Sequence, residues 1–77
     1  MAQILSPLPG TFYRSVSPDQ PPYKADGDAV AAGDVIGLIE VMKSFHEVRA
    51  ETAGTNIRFL ADNEEPIMAG APLADLD

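Results

Sequence analysis

The sequence predicts an all-β chain, a flattened β-barrel or sandwich of two pseudo-symmetric four-stranded halves. Seven Pro and six Gly are spread along the 77 residues and leave no uninterrupted helical stretch. Short apolar runs recur between turn residues, as they do in sandwiches and small barrels. The chain also repeats itself. Residues 30–40 (VAAGDVIGLIE) align with residues 67–77 (IMAGAPLADLD) at an offset of 37, and Gly10-Thr11 aligns with Gly54-Thr55 at an offset of 44. Two such units bury their apolar faces against each other.

Taken in order, the expected strands cover residues 3–6, 10–13, 29–31, 35–41, 44–50, 54–60, 66–68 and 72–76. Pro and Gly punctuate most of the gaps between them. The offsets differ by 44 − 37 = 7, so the first half carries about seven extra residues between its Gly-Thr and its later glycine. The segment at about 14–23, with Pro18, Pro21 and Pro22, is the natural place for them, and its prolines stiffen a protruding loop. A chain of this length is expected to be a single domain over 1–77, burying about 60% of the surface that its unfolded form exposes.

The runs 35–41 and 44–50 are separated by Met42-Lys43 alone, the spacing of a two-residue hairpin turn. Such turns require positive φ at one or both central positions and favour Asn and Gly, which Met and Lys replace poorly. An exposed Met and a cation on a strained tip point to presentation. Apolar Phe45, Val48, Ile57, Phe59 and Leu60 are read as core or half-buried packing, and His46 as an ordinary strand residue.

Composition narrows the chemistry. Cysteine is absent and there is one His, which removes disulfides, thiolate nucleophiles and a credible transition-metal cluster. No nucleophile with its base and no phosphate-binding glycine loop is found, so an enzyme acting alone is not expected. The formal charge of −7 argues against nucleic acid or an anionic membrane surface as partner. The first residues have neither a basic region nor a long apolar run, which makes the cytoplasm the expected location.

Glu40-Val41-Met42-Lys43-Ser44 resembles the biotinylation motif of biotin carboxyl carrier proteins and the biotinyl domains of biotin-dependent carboxylases. Ser6-Pro7-Leu8, Gly10-Thr11-Phe12-Tyr13-Arg14 and Ser17-Pro18-Asp19 are similar to the carrier of bacterial acetyl-CoA carboxylase. Gly27, Gly33-Asp34, Gly54-Thr55, Pro66 and Pro72-Leu73 fall at the family's spacing. Departures exist: Val41 and Ser44 stand where Ala and Met are commoner, and Pro9, Val16, Asp26 and Asn56 replace the usual Val, Pro, an apolar residue and Val.

The resemblance implies the biotinyl/lipoyl fold, with biotin joined by an amide to Lys43 by biotin protein ligase, and Met42 as the ligase's recognition residue. It implies a non-catalytic carrier moving a carboxyl group between biotin carboxylase and carboxyltransferase. In the bacterial carriers the extra loop is a thumb that touches the biotin ring, which assigns Ser17, Pro18 and Asp19 that contact here. Val41 and Ser44 flank the site, and Glu40 and Glu47 would guide docking on basic partner surfaces. Two alternatives stay open at this point: a lipoyl-type carrier, although lipoyl domains typically show Asp-Lys-Ala, and an unmodified interaction domain on the same fold.

Overall fold

The computed structural model describes residues 2–77; Met1, the first residue of the domain expected over 1–77, lies outside the described residues. Seven strands follow one another: β1 (Ala2–Leu5), β2 (Gly10–Tyr13), β3 (Val35–Val41), β4 (Ser44–Arg49), β5 (Arg58–Phe59), β6 (Glu65–Ile67) and β7 (Pro72–Leu76). They build one antiparallel sheet ordered β4-β3-β2-β6 and another ordered β1-β7-β5. No helix occurs among the described residues, so the all-β expectation holds and none is long and apolar enough to cross a membrane.

The two offsets of the sequence reappear as matched hydrogen bonds. Gly33 N–H donates to the Ala50 carbonyl and Gly70 N–H to that of Ser6, each at 2.8 Å. Ala50 N–H returns a bond to Asp34 O at 2.9 Å, as Ser6 N–H does to Ala71 O at 2.8 Å. The β3–β4 register (Ile39↔His46, Gly37↔Val48, Val35↔Arg49) is repeated in β7–β1 (Leu76↔Ala2, Ala74↔Ile4, Pro72↔Leu5), with an irregularity at the same step. The largest fully buried side chains fall into equivalent pairs: Ile36 with Leu73, Ile39 with Leu76, and Phe12 with Ile57. Each such side chain contributes about 1.5–3 kcal/mol, so this duplicated cluster is the main stabilising term.

The repeated Gly-Thr has a steric cause. A Cβ on Gly10 would stand 2.4 Å from the Glu40 carbonyl oxygen, and one on Gly54 would stand 2.9 Å from Leu76 Cβ and 3.1 Å from Asp77 O. At both positions the chain approaches its neighbour too closely for a side chain.

The halves are less equal than expected. The strand predicted at 29–31 reduces to a single bridge between Val30 and Gly54, which leaves the second sheet with three strands rather than four. The strand predicted at 54–60 is interrupted because Asn56 adopts φ 54°, a left-handed conformation that Asn tolerates and the β-branched Val usual at this position does not. Its extra residue shifts the pairing, so that Arg58 rather than Ile57 faces Asp75. Val48 and Ile57 are buried and Phe59 packs against the core as expected, but Phe45 and Leu60 are 55% and 50% exposed. Phe45 pairs with Glu40 and lies an odd number of residues from inward-facing Val48, which turns it to the outer face.

Candidate functional site

The β3–β4 hairpin closes at Val41↔Ser44, leaving Met42 at φ 51° and Lys43 at φ 67° as its two turn residues. Positive φ at both positions is the signature of the type I′ turn, whose twist matches that of the flanking strands. For non-glycine residues this conformation costs about 1–2 kcal/mol each. The ladder enforces it: β3 is a central strand buried from Ile36 to Ile39, and Val41 packs against the core beneath the turn. Met42 is 93% exposed and Lys43 is exposed, taking part in none of the ion pairs among the described residues. Neither side chain is held by packing, so both are presented to solvent by backbone geometry alone.

The other expected residues lie around this tip. Val41 and Ser44 form its closing pair, with Ser44 and His46 exposed on edge strand β4. Glu40 accepts a hydrogen bond from the Tyr13 hydroxyl at 3.5 Å, and Glu47 is engaged by Arg49 at 2.5 Å. Of the two carboxylates, Glu40 is nearer the tip by register, one ladder pair from the closing pair, while much of the charge of Glu47 is met within its own strand. The Tyr13 phenol is raised above its ordinary pKa, first by desolvation and then by the charges of Glu40 and Glu64.

Residues 14–23 fold back over the outer face of the same sheet. Tyr23 N–H donates to Arg14 O at 2.9 Å and closes the loop's base, while Gln20 N–H donates to Ser17 O at 3.1 Å near its tip. Arg14 anchors the base: its N–H donates to Asn63 Oδ1 at 2.9 Å, and its guanidinium lies 4.1 Å from the Phe59 ring centroid. Between this loop and the hairpin lies a hollow of about 280 Å³. Tyr13 and Phe45, in edge-to-face contact with centroids 5.9 Å apart, form its aromatic side. Val16, Ser17 and Pro18 line it from the loop and Glu64 from the opposite turn. Asp19 is exposed and does not line it.

Tyr13, Val16, Phe45 and Glu64 are thus members of the site that were not named as such from the sequence. The signal for Phe45 was its spacing from Val48. Glu64 offered a fainter one, since it occupies in the second half the place of Gly27 in the first and shares its positive φ.

A hollow of about 320 Å³ at the other end of the sandwich, beside Gln3, Arg49, Glu51 and Thr52, is unrelated to the tip. Arg49 is six residues along β4 from Lys43, about 20 Å of extended chain. No group of His, Asp or Glu able to hold a metal ion occurs among the described residues. What the tip offers chemically is a solvated primary amine that can be acylated without disturbing any internal contact. A ring carried on that amine has an aromatic-sided hollow beside it, so the residues present fit a tethered bicyclic cofactor.

A small antiparallel sandwich with a lysine displayed on a two-residue hairpin is the biotinyl/lipoyl class of domain. The chain belongs to the biotin-requiring enzyme family, whose model matches residues 2–76, and biotin is accordingly the cofactor of the family, as the motif implied. It is 43% identical over 70 residues to the biotin carboxyl carrier protein of acetyl-CoA carboxylase 2, chloroplastic, of Arabidopsis thaliana, covering 91% of this chain and 28% of that protein. The biotin carboxyl carrier protein of acetyl-CoA carboxylase of Nostoc sp. is 36% identical over 73 residues, covering 95% and 40%. That of Pseudomonas aeruginosa is 36% identical over 70 residues, covering 91% and 45%. The chain therefore spans less than half the length of these curated relatives.

Proposed function

We propose that this chain is the carrier domain of an acetyl-CoA carboxylase, or of a related acyl-CoA carboxylase, with biotin joined through an amide to Lys43 Nζ. The observation that carries the reading is the left-handed two-residue turn. It displays Lys43 and Met42 within the Glu40-Val41-Met42-Lys43-Ser44 motif of a chain whose relatives are named biotin carboxyl carriers. Biotin supplies the ureido nitrogen that holds the carboxyl group. The chain supplies presentation, solubility and reach, and catalyses nothing itself.

In this reading biotin protein ligase recognises the exposed thioether of Met42, which packs adaptably into a partner's pocket. Activation of the lysine amine falls to the ligase, because no base of the carrier stands in contact with it among the described residues. Val41 and Ser44 fix the turn, and Glu40, supported by Glu47, guides docking on basic faces of biotin carboxylase and carboxyltransferase in the cytoplasm. Acylation removes the only lysine charge at the tip, which makes the loaded arm neutral. The loop at 14–23 acts as the thumb: Ser17 and Pro18 border the hollow that would receive the ring, and Asp19 extends the loop beyond it. Tethering replaces tight binding at each enzyme by a high local concentration of biotin.

Coexpression with biotin ligase, and separately with lipoyl ligase, followed by intact-protein mass measurement, tests the proposal. The expected result is a single addition of biotin that disappears in Lys43→Arg. An addition from lipoate only, or none at all, would overturn it.

A further inference from the structure

The hollow beside Lys43 is neutral or apolar on most of its surface and acidic at one side. Tyr13, Phe45, Val16 and Pro18 give it faces suited to an uncharged ring, and Glu64 lines it with a carboxylate. Glu64 is held in place by its own backbone, whose N–H donates to Phe12 O at 2.7 Å. A second carboxylate, Glu40, adjoins the hollow through its bond with the Tyr13 hydroxyl. Both carboxylates also act on the Tyr13 phenol, whose pKa is raised first by desolvation and then by their charges.

Among the described residues neither carboxylate has an ion-pair partner, and no cation lines the hollow. Lys24 pairs with Asp34, Arg49 with Glu47 and Arg58 with Asp77, and the Arg14 guanidinium keeps its charge but is turned to the Phe59 ring and the Lys24 carbonyl rather than into the hollow. Lys43 itself loses its charge when acylated.

We propose, resting on the reading of Lys43 as the biotin site, that this hollow sorts the cofactor by charge: it seats the neutral ring and turns away the same ring bearing a carboxylate. Glu64, seconded by Glu40, is the residue that discriminates. An anion brought to the aromatic side meets one or two like charges with no cation lining the hollow, while the uncharged ring meets the same apolar, hydroxyl, amide and carboxylate groups without net Coulombic repulsion. Like charges sharing one small, partly solvated hollow are worth on the order of tenfold in occupancy. The carrier would then hold its empty cofactor against its own surface and release the filled one to solvent, where the next enzyme meets it. Discrimination by charge also makes the preference sensitive to salt.

The test uses the full chain loaded on Lys43 with three stable arms: biotin, biotin carrying a carboxymethyl group on its ureido nitrogen, and the carbamoylmethyl analogue, equal in size but uncharged. The resonances of Tyr13, Val16 and Phe45 are compared with those of the unloaded chain. Biotin and the carbamoylmethyl arm are expected to shift all three, whereas the carboxymethyl arm leaves them near their unloaded positions. In Glu64→Gln, whose backbone bond to Phe12 is retained, the carboxymethyl arm should regain several-fold occupancy, and in the parent chain high salt should do so in part.

Equal seating of the charged and uncharged arms, exclusion of both substituted arms, or no response to Glu64→Gln would overturn the proposal while leaving biotin on Lys43. If plain biotin shifts none of the three residues, the hollow does not receive the ring and the sorting falls with it. Failure of Lys43 to accept biotin is read separately, by mass.

Discussion

The two halves of this molecule share a core and differ in what they attach to it. Ile36, Ile39 and Phe12 in the first half answer Leu73, Leu76 and Ile57 in the second, and the bonds of Gly33 and Asp34 answer those of Gly70 and Ala71. The departures that build the candidate site gather on one side. Only the first half has the 14–23 loop, and only the β3–β4 ladder ends in the Met42-Lys43 turn. The symmetric part supplies stability and the asymmetric part supplies presentation, so a substitution should affect one and spare the other.

The sharpest separation is expected at the tip. Lys43→Arg should abolish biotin incorporation as read by mass, with the thermal midpoint unchanged, because the exposed side chain makes no ion pair among the described residues. A large fall in midpoint would break the division between the two parts.

The glycine pair probes the symmetry from the other direction. Gly10→Ala should destabilise by about 3 kcal/mol or more, since its Cβ meets backbone oxygen at 2.4 Å. Gly54→Ala, whose nearest contacts are Leu76 Cβ at 2.9 Å and Asp77 O at 3.1 Å, should cost less, on the order of 1–2 kcal/mol, because the overlap to be relieved is smaller. Urea denaturation of the two variants would rank them, and the reverse order would show that the halves are not mechanically equivalent.

Met42→Gly is expected to act oppositely on the two functions. Relieving φ 51° at a non-glycine residue should raise stability by about 1 kcal/mol, while removing the exposed thioether slows loading by biotin ligase. A stabilised variant that loads at the parent rate would remove Met42 from recognition.

The smallest effect concerns the latch between the loop's end and β3. Asp34 is held below the ordinary carboxylate pKa, first by the Ala31 N–H and then by Lys24, whose Nζ stands 3.2 Å away. Its second-half counterpart is Ala71, which has no such bond to offer. A depressed folded-state pKa contributes stability that is present above the unfolded value of about 3.9 and is lost as pH falls through the folded value. The stability gap between the parent chain and Asp34→Asn should therefore be open at neutral pH and close in acid. A gap independent of pH would assign Asp34 no electrostatic role.

Much of this was legible from the residues. Repeats with two offsets revealed the duplicated unit, the inserted segment and the hairpin between the halves, because glycine positions and apolar spacing are fixed by backbone packing. The missing strand was not legible. It depends on Asn56 taking a left-handed conformation, a choice settled by its neighbours, and on pairing between 29–31 and 54 that is too short to leave a pattern. Phe45 was misread by composition, which sees an apolar residue and not the face it occupies. The hollow, with Tyr13 and Glu64 brought together across 51 positions of chain, exists only once the sheet has formed.

The strands of the two halves are interleaved. β1 pairs with β7, β2 with β6, and β3 with β4, so each of these contacts joins the first half to the second. During synthesis the lysine hairpin leaves the ribosome before β7 and its Leu73 and Leu76, which complete the core beneath it. A ligase that reads the strained turn rather than the bare peptide would find it held in place only after the last strand has docked. Attachment of the cofactor would then double as inspection: biotin would go to domains whose core is complete and be withheld from misfolded ones.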